Sequence, residues 1–149
     1  MKLKKIVFQT DLRMKPVDDK FFELTGPFNV DFVTDEGTWK LRLKEGWVTD
    51  LRSGTDVINY LVPKWGNCEY TATVLLHDCA YTGWMSFELA NEMLRQGVIL
   101  SGEISKFRAW LMYQAVDKFG RGHYYSLDDK LPPPYDKNKS LEYLVLVDK

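Results

Sequence analysis

The sequence predicts an α+β protein in which an antiparallel β-sheet packs with a layer of helices. Strand-like patterns rich in β-branched and aromatic residues are confined to residues 1–50, and longer helical patterns occupy residues 55–120. A proline-containing connector and a last strand complete the chain over residues 126–149. Strands that follow one another without intervening helices pair mainly in antiparallel fashion. The length of 149 residues, 45% of them hydrophobic, is enough for a single domain with an ordinary core.

Four short strands are predicted in the first third of the chain, and we expect them to form an antiparallel meander. Turn-forming residues at Gly26-Pro27 and at positions 35–37 separate them. The predicted strands are Lys5–Gln9, Phe21–Leu24, Asn29–Val33 and Thr38–Leu43.

Four helices are predicted in the second half. A short one runs from a Thr55 cap to Val62. Residues 69–81 carry apolar side chains on several faces, which is typical of a central buried helix. Ser86 caps the next helix, and the last spans residues 104–119 with Phe107 and Trp110 among its apolar residues.

The last predicted strand, residues 141–147, is apolar on both faces. Such a strand lies either in the centre of a sheet or against another subunit. The pattern therefore allows a homo-oligomer formed through the C-terminal strand.

Charge and hydropathy exclude several classes of partner. Twenty basic residues against twenty-one acidic ones give no electrostatic reason to expect a nucleic-acid partner. No apolar run approaches the ~20 residues needed to span a bilayer, and the polar N-terminus predicts no signal peptide. We expect a protein that stays in the cytoplasm where it is made.

The two cysteines are predicted to be reduced and buried. Cys68 and Cys79 are eleven residues apart on one predicted helix, about 16 Å by its rise per residue, which is too far for a disulfide. The histidines, His77 and His123, supply no usual zinc spacing with these thiols.

A polar cluster interrupts the helix that is predicted to be buried. His77 and Tyr81 are one helical turn apart and share a face, while Asp78 is rotated by about 100°. The loop that carries Asp50, Arg52 and Ser53 could meet this cluster and pair with it.

Two interpretations of this cluster stay open. In the first it is an acid–base or metal site, in which His77 transfers a proton and a carboxylate orients the ring. In the second it is a buried polar network that holds the loop of residues 49–54 on the helix. The missing nucleophile favours the second interpretation.

The order of motifs resembles a known family. The segments that carry the resemblance are residues 46–53 (GWVTDLRS), the HDCAY of residues 77–81, Ala90-Asn91 with Gly97-Val98, and Met112-Tyr113 with Phe119-Gly120. Together they resemble domain of unknown function 1353, whose small proteins are common in tailed phages and prophages. The sequence has Gly54-Thr55 where the family pattern continues with x-Pro, and Asn91 where it has Asp. The second departure removes a carboxylate from the cluster.

The resemblance implies a bacteriophage accessory or virion protein of the tail region that acts as an interaction module, located in the virion or the host cytoplasm. The first alternative is a metal-assisted or acid–base hydrolase, and the second is a host-takeover protein that binds a small molecule or a host protein. The catalytic candidates are Asp50, His77 and Asp78, and the ligand-binding candidates are Arg52, Ser53, Tyr81 and Asn91. No cofactor is predicted, although a divalent metal ion would suit the hydrolase.

Overall fold

The computed structural model describes residues 1–17, 21–49, 66–124 and 142–148. Antiparallel strands and three α-helices confirm the α+β class. The chain divides into two compact units, one formed by residues 1–50 with 129–149 and the other by residues 51–128. The single domain stays a prediction. Within the described ranges, no helix is long and apolar enough to cross a membrane.

The first unit contains two antiparallel sheets. Four strands pair in the order β1-β4-β5-β7, and three short strands pair in the order β2-β3-β6. The strands are β1 Leu3–Phe8, β2 Met14–Pro16, β3 Phe22–Leu24, β4 Phe28–Thr34, β5 Thr38–Leu43, β6 Val48–Thr49 and β7 Glu142–Val147.

The predicted strands are present, but their arrangement as a meander is wrong. Strand β1 pairs with β4 rather than with its neighbour in sequence, because β2 and β3 leave to form the second sheet with β6. Only the β4–β5 hairpin in the four-stranded sheet joins consecutive strands. The sequence signals of β2 and β6, at three and two residues, are too short for periodicity to detect.

One face of the four-stranded sheet is buried. Burial alternates along β4, where Phe28, Val30 and Phe32 are inaccessible to solvent. Leu41 of β5 is buried opposite Leu144 of β7. This alternation, with a period of two, is what the amphipathic strand pattern predicts.

Two contacts fix the ends of β7. The indole N–H of Trp47 donates a hydrogen bond to the buried carboxylate of Glu142 at the start of the strand. At its other end, a Cβ added to Gly37 would lie 2.7 Å from the carbonyl oxygen of Val147, and Gly37 has a φ of +152°. Glycine is therefore required in the β4–β5 turn for β7 to pair along the whole length of β5.

The second unit contains three α-helices, each beginning at a side-chain cap. The oxygens of Asn67, Ser86 and Ser105 accept backbone N–H groups at the three starts. The helices are α1 Cys68–Cys79, α2 Phe87–Ser101 and α3 Lys106–Phe119, with a π-helical turn at Ala80–Trp84 and a 3₁₀ turn at Gly120–His123.

Helix α1 is buried nearly all round, as predicted. It packs so closely on α2 that a Cβ added to Gly97 would lie 2.4 Å from side-chain atoms of Thr73. The predicted helix of residues 55–62 lies outside the described residues.

Two expectations for this unit are wrong, the burial of Cys68 and the first residue of helix α3. Cys68 is exposed at the first turn of α1, whereas Cys79 is buried as predicted, and neither is in a disulfide. Phe107 and Trp110 are exposed, at 66% and 50% of their surface. Helix α3 also begins two residues later than predicted, after the Ser105 cap. Its buried side is formed by Ala109, Met112, Ala115 and Val116.

Candidate functional site

The helical unit brings three of the candidate residues into one hydrogen-bonded group. The side-chain oxygen of Asn91 lies 3.0 Å from His77 Nε2 and accepts a 2.6 Å hydrogen bond from the Tyr81 hydroxyl. We call His77, Tyr81 and Asn91 the His77 network. Helix α1 supplies the histidine, the following π-helical turn supplies the tyrosine, and α2 supplies the asparagine.

The geometry fixes the tautomer of the histidine. An amide oxygen can only accept hydrogen bonds, so the His77 nitrogen facing it, Nε2, carries the hydrogen. The lone pair of the neutral ring is then on Nδ1. The Tyr81 ring packs against the imidazole at a centroid distance of 4.2 Å, which holds the ring plane in place.

Burial keeps both titratable groups of the network neutral at pH 7. Complete burial lowers the pKa of His77 to about 4, and the hydrogen bond to Asn91 opposes this shift only in part. Burial also raises the pKa of the Tyr81 hydroxyl far above its usual value, so the hydroxyl remains a donor. At pH 7 the ring is therefore neutral, and burial disfavours its protonated form.

Asn91 fits this position less well than a carboxylate would. It is completely buried, and among the described residues its amide nitrogen has no hydrogen-bond partner. An unpaired buried donor costs about 1–3 kcal/mol. An aspartate would accept from the same two donors and leave no N–H unpaired.

Residues from the end of α3 onward support the tyrosine. A Cβ added to Gly120 would lie 2.4 Å from the Tyr81 hydroxyl oxygen, so this position admits only glycine while the hydroxyl keeps its place. The Tyr124 ring meets the Tyr81 ring edge-on at 5.6 Å, and its own hydroxyl donates to the carbonyl of Met85. The sequence identified Gly120 only as a helix stop and gave no signal for these contacts.

Of the other four candidate residues, the structure describes only Asp78. Asp78 is half-buried on α1, next to His77 but outside the three hydrogen-bonded side chains of the network. Asp50, Arg52 and Ser53 lie outside the described residues, so their predicted convergence with His77 stays a prediction. In the described part of the chain, no group of three or more His, Cys, Asp and Glu side chains could hold a metal ion.

The comparisons with known proteins agree with this arrangement of motifs. The family described as "Protein of unknown function (DUF1353)" matches residues 22–116, about two thirds of the chain. The chain belongs to this family, and the matched range includes the whole His77 network. Neither the search of curated proteins nor the search of solved structures gave a match.

Proposed function

We propose that the helical unit is a hydrolase in which His77 acts as the general base on water. The observation that carries the proposal is the convergence of His77 Nε2 and the Tyr81 hydroxyl on one oxygen of Asn91. A base that is oriented by a third group is the usual arrangement of acid–base catalysis.

On a carboxylic ester, the bond that the assay below tests, the reaction is base-catalysed hydrolysis. The imidazole of His77 takes a proton from water while the water oxygen bonds to the carbonyl carbon. The tetrahedral intermediate then breaks its bond to the alcohol oxygen, which takes the proton back from the imidazolium. The products are a carboxylic acid and an alcohol, and the ring returns to its neutral form. Asn91 and Tyr81 act as positioning residues throughout.

Hydrolysis of p-nitrophenyl butyrate at pH 7 tests this proposal. We expect His77→Gln to lower the rate by about 100-fold or more, because general base catalysis contributes about 10²–10⁴. The matched control is His123→Gln, which changes the exposed second histidine of the chain and should leave the rate within about twofold.

The assay is run with a chelator and with added Mg²⁺ or Ca²⁺. These conditions show whether the activity depends on a divalent ion, as the metal-assisted form of the hydrolase would require. Turnover that is equal in the wild type and His77→Gln under every condition would refute the hydrolase.

We propose as a second candidate that the chain is an interaction module of a bacteriophage virion, with a phage or host protein as its partner. Phe107 and Trp110 support this proposal, because both are at least half exposed and their rings stack at a centroid distance of 6.1 Å. Exposed aromatic pairs of this kind are enriched at protein interfaces. The phage setting comes from the sequence resemblance.

Incorporation into virions of the encoding phage tests the second candidate. We expect the wild-type chain in purified particles and its loss from particles that carry Phe107→Ser with Trp110→Ser. Phe119→Ser is the control, since Phe119 is exposed to 61%, close to the 66% of Phe107, but lies outside the stacked pair. Purified virions that lack the wild-type chain would exclude a virion role. A host protein that binds the purified wild-type chain directly, but not the double variant, would indicate the host-takeover alternative.

A further inference from the structure

Strand β7 has the composition of an interior strand but occupies an edge. Its residues are apolar on both faces, and the sequence allowed either a central position or pairing with another subunit. In the described part of the four-stranded sheet, β7 pairs with β5 on one side and forms the end of the strand order. The first of the two possibilities is therefore not realised among these strands.

The two edge strands of this sheet differ in the features that prevent pairing with another chain. Strand β1 carries exposed Lys4 and Lys5, and its register with β4 shifts between Leu3 and Lys5. Lysines and irregular register are the features by which proteins keep edge strands from pairing with other chains. Residues 143–147 of β7 are Tyr-Leu-Val-Leu-Val and contain no charge and no proline, and their register with β5 is regular.

The side chains of β7 are also exposed. Tyr143, Val145, Leu146 and Val147 each show at least 40% of their surface. Large apolar side chains concentrated on one strand are typical of a surface that is covered in an assembly.

We propose that β7 pairs with β7 of a second copy of this chain, antiparallel and about a two-fold axis. Antiparallel pairing of a strand with itself places Tyr143 opposite Val147 when the axis passes beside Val145. All opposed residues in 143–147 are then aromatic, β-branched or leucine, which are favourable cross-strand neighbours. No like charges face one another within residues 143–147, whereas Glu142 lies opposite Asp148 at each end, just outside this stretch. The result is one continuous sheet of eight strands.

A second copy is the partner that the symmetry of the strand favours. An isologous contact closes at the dimer and uses both exposed edges, so it leaves no further edge of this type for growth. Six residues of strand extend about 20 Å, which gives a contact at the small end of specific interfaces. We therefore expect a dimer whose population depends on protein concentration. This inference does not depend on the proposed hydrolase activity. A second copy of the chain would be one partner of the proposed interaction module.

Sedimentation velocity over a wide range of concentration tests the dimer. The wild type should move from monomer to dimer as concentration rises, and Val145→Lys should remain monomeric because two lysines would meet at the axis. The matched control is Val48→Lys on β6, since Val48 is exposed to a similar extent, 45% against 42% for Val145. This control should dimerise like the wild type.

Mixing two variants of opposite charge at position 145 is the decisive experiment. Val145→Lys and Val145→Glu should each be monomeric alone and should form a heterodimer when mixed, provided that thermal melts show both folded. A wild type that stays monomeric throughout, or a Val145→Lys variant that dimerises as well as the wild type, would overturn the proposal. Ester hydrolysis by Val145→Lys should be unchanged, so failure of the dimer is distinguishable from failure of the hydrolase.

Discussion

Acidification from pH 7 to pH 4 is expected to destabilise the wild-type protein by about 3 kcal/mol more than the His77→Gln variant. The folded protein holds the pKa of His77 at about 4, whereas an unfolded chain has the ordinary value of 6.5. Between these values the unfolded state binds a proton that the folded state does not. Stability is therefore full above pH 6.5 and falls as the pH approaches 4. The difference between the two pKa values corresponds to about 3.4 kcal/mol in all, of which about 3 kcal/mol is lost by pH 4 because the folded-state pKa is reached there and not yet passed.

Urea unfolding at a series of pH values measures this difference. The quantity compared is the pH dependence of the free energy of unfolding in each protein, so a lower absolute stability of His77→Gln does not affect the result. His123→Gln, which leaves the buried ring in place, should keep the wild-type slope. Parallel pH profiles for the wild type and His77→Gln would show that His77 is not buried in its neutral form.

The Asn91→Asp variant is expected to raise the pKa of His77 well above 4 and to increase ester hydrolysis about tenfold or more. A carboxylate at 3.0 Å from Nε2 would favour the imidazolium, which the amide oxygen of Asn91 does less strongly. A base whose pKa is closer to the working pH removes protons from water more effectively. The substitution also removes the buried amide nitrogen that has no partner in the described chain.

Imidazole NMR titration and the p-nitrophenyl butyrate assay measure the two effects. The chain has only two histidines, so the signal lost in His77→Gln identifies His77. The double variant His77→Gln with Asn91→Asp is the control and should show no gain in rate. A gain that persists in the double variant would assign the activity to another group, and an unchanged pKa would contradict the contact itself.

Local sequence patterns were sufficient for most elements. The alternation along β4 and the Ser86 cap depend on neighbours within a few residues, and the structure agrees with both. The predicted meander is absent because strand order depends on pairing between segments that are distant in sequence. Strand β1 pairs with β4, and the two strands between them in sequence belong to another sheet. No local pattern carries that information.

The sequence also does not predict which side of helix α3 is exposed. The helix has two apolar stripes, one containing Ala109, Met112 and Val116 and the other containing Phe107 and Trp110. Periodicity identifies both stripes but does not say which one faces α2. The smaller side chains are buried because they allow two helices to approach closely, while the large aromatic rings remain outside.

By itself, the sequence determined the fold class, the family resemblance and the identity of His77, Tyr81 and Asn91 as candidates. Only the tertiary structure decided that these three meet, with one oxygen of Asn91 as the shared acceptor across a separation of 14 residues from His77. It also decided that β7 lies at an edge among the described strands. The physical reason is the same in both cases. Composition and spacing set what each segment can pair with, whereas long-range packing selects the partner that it has.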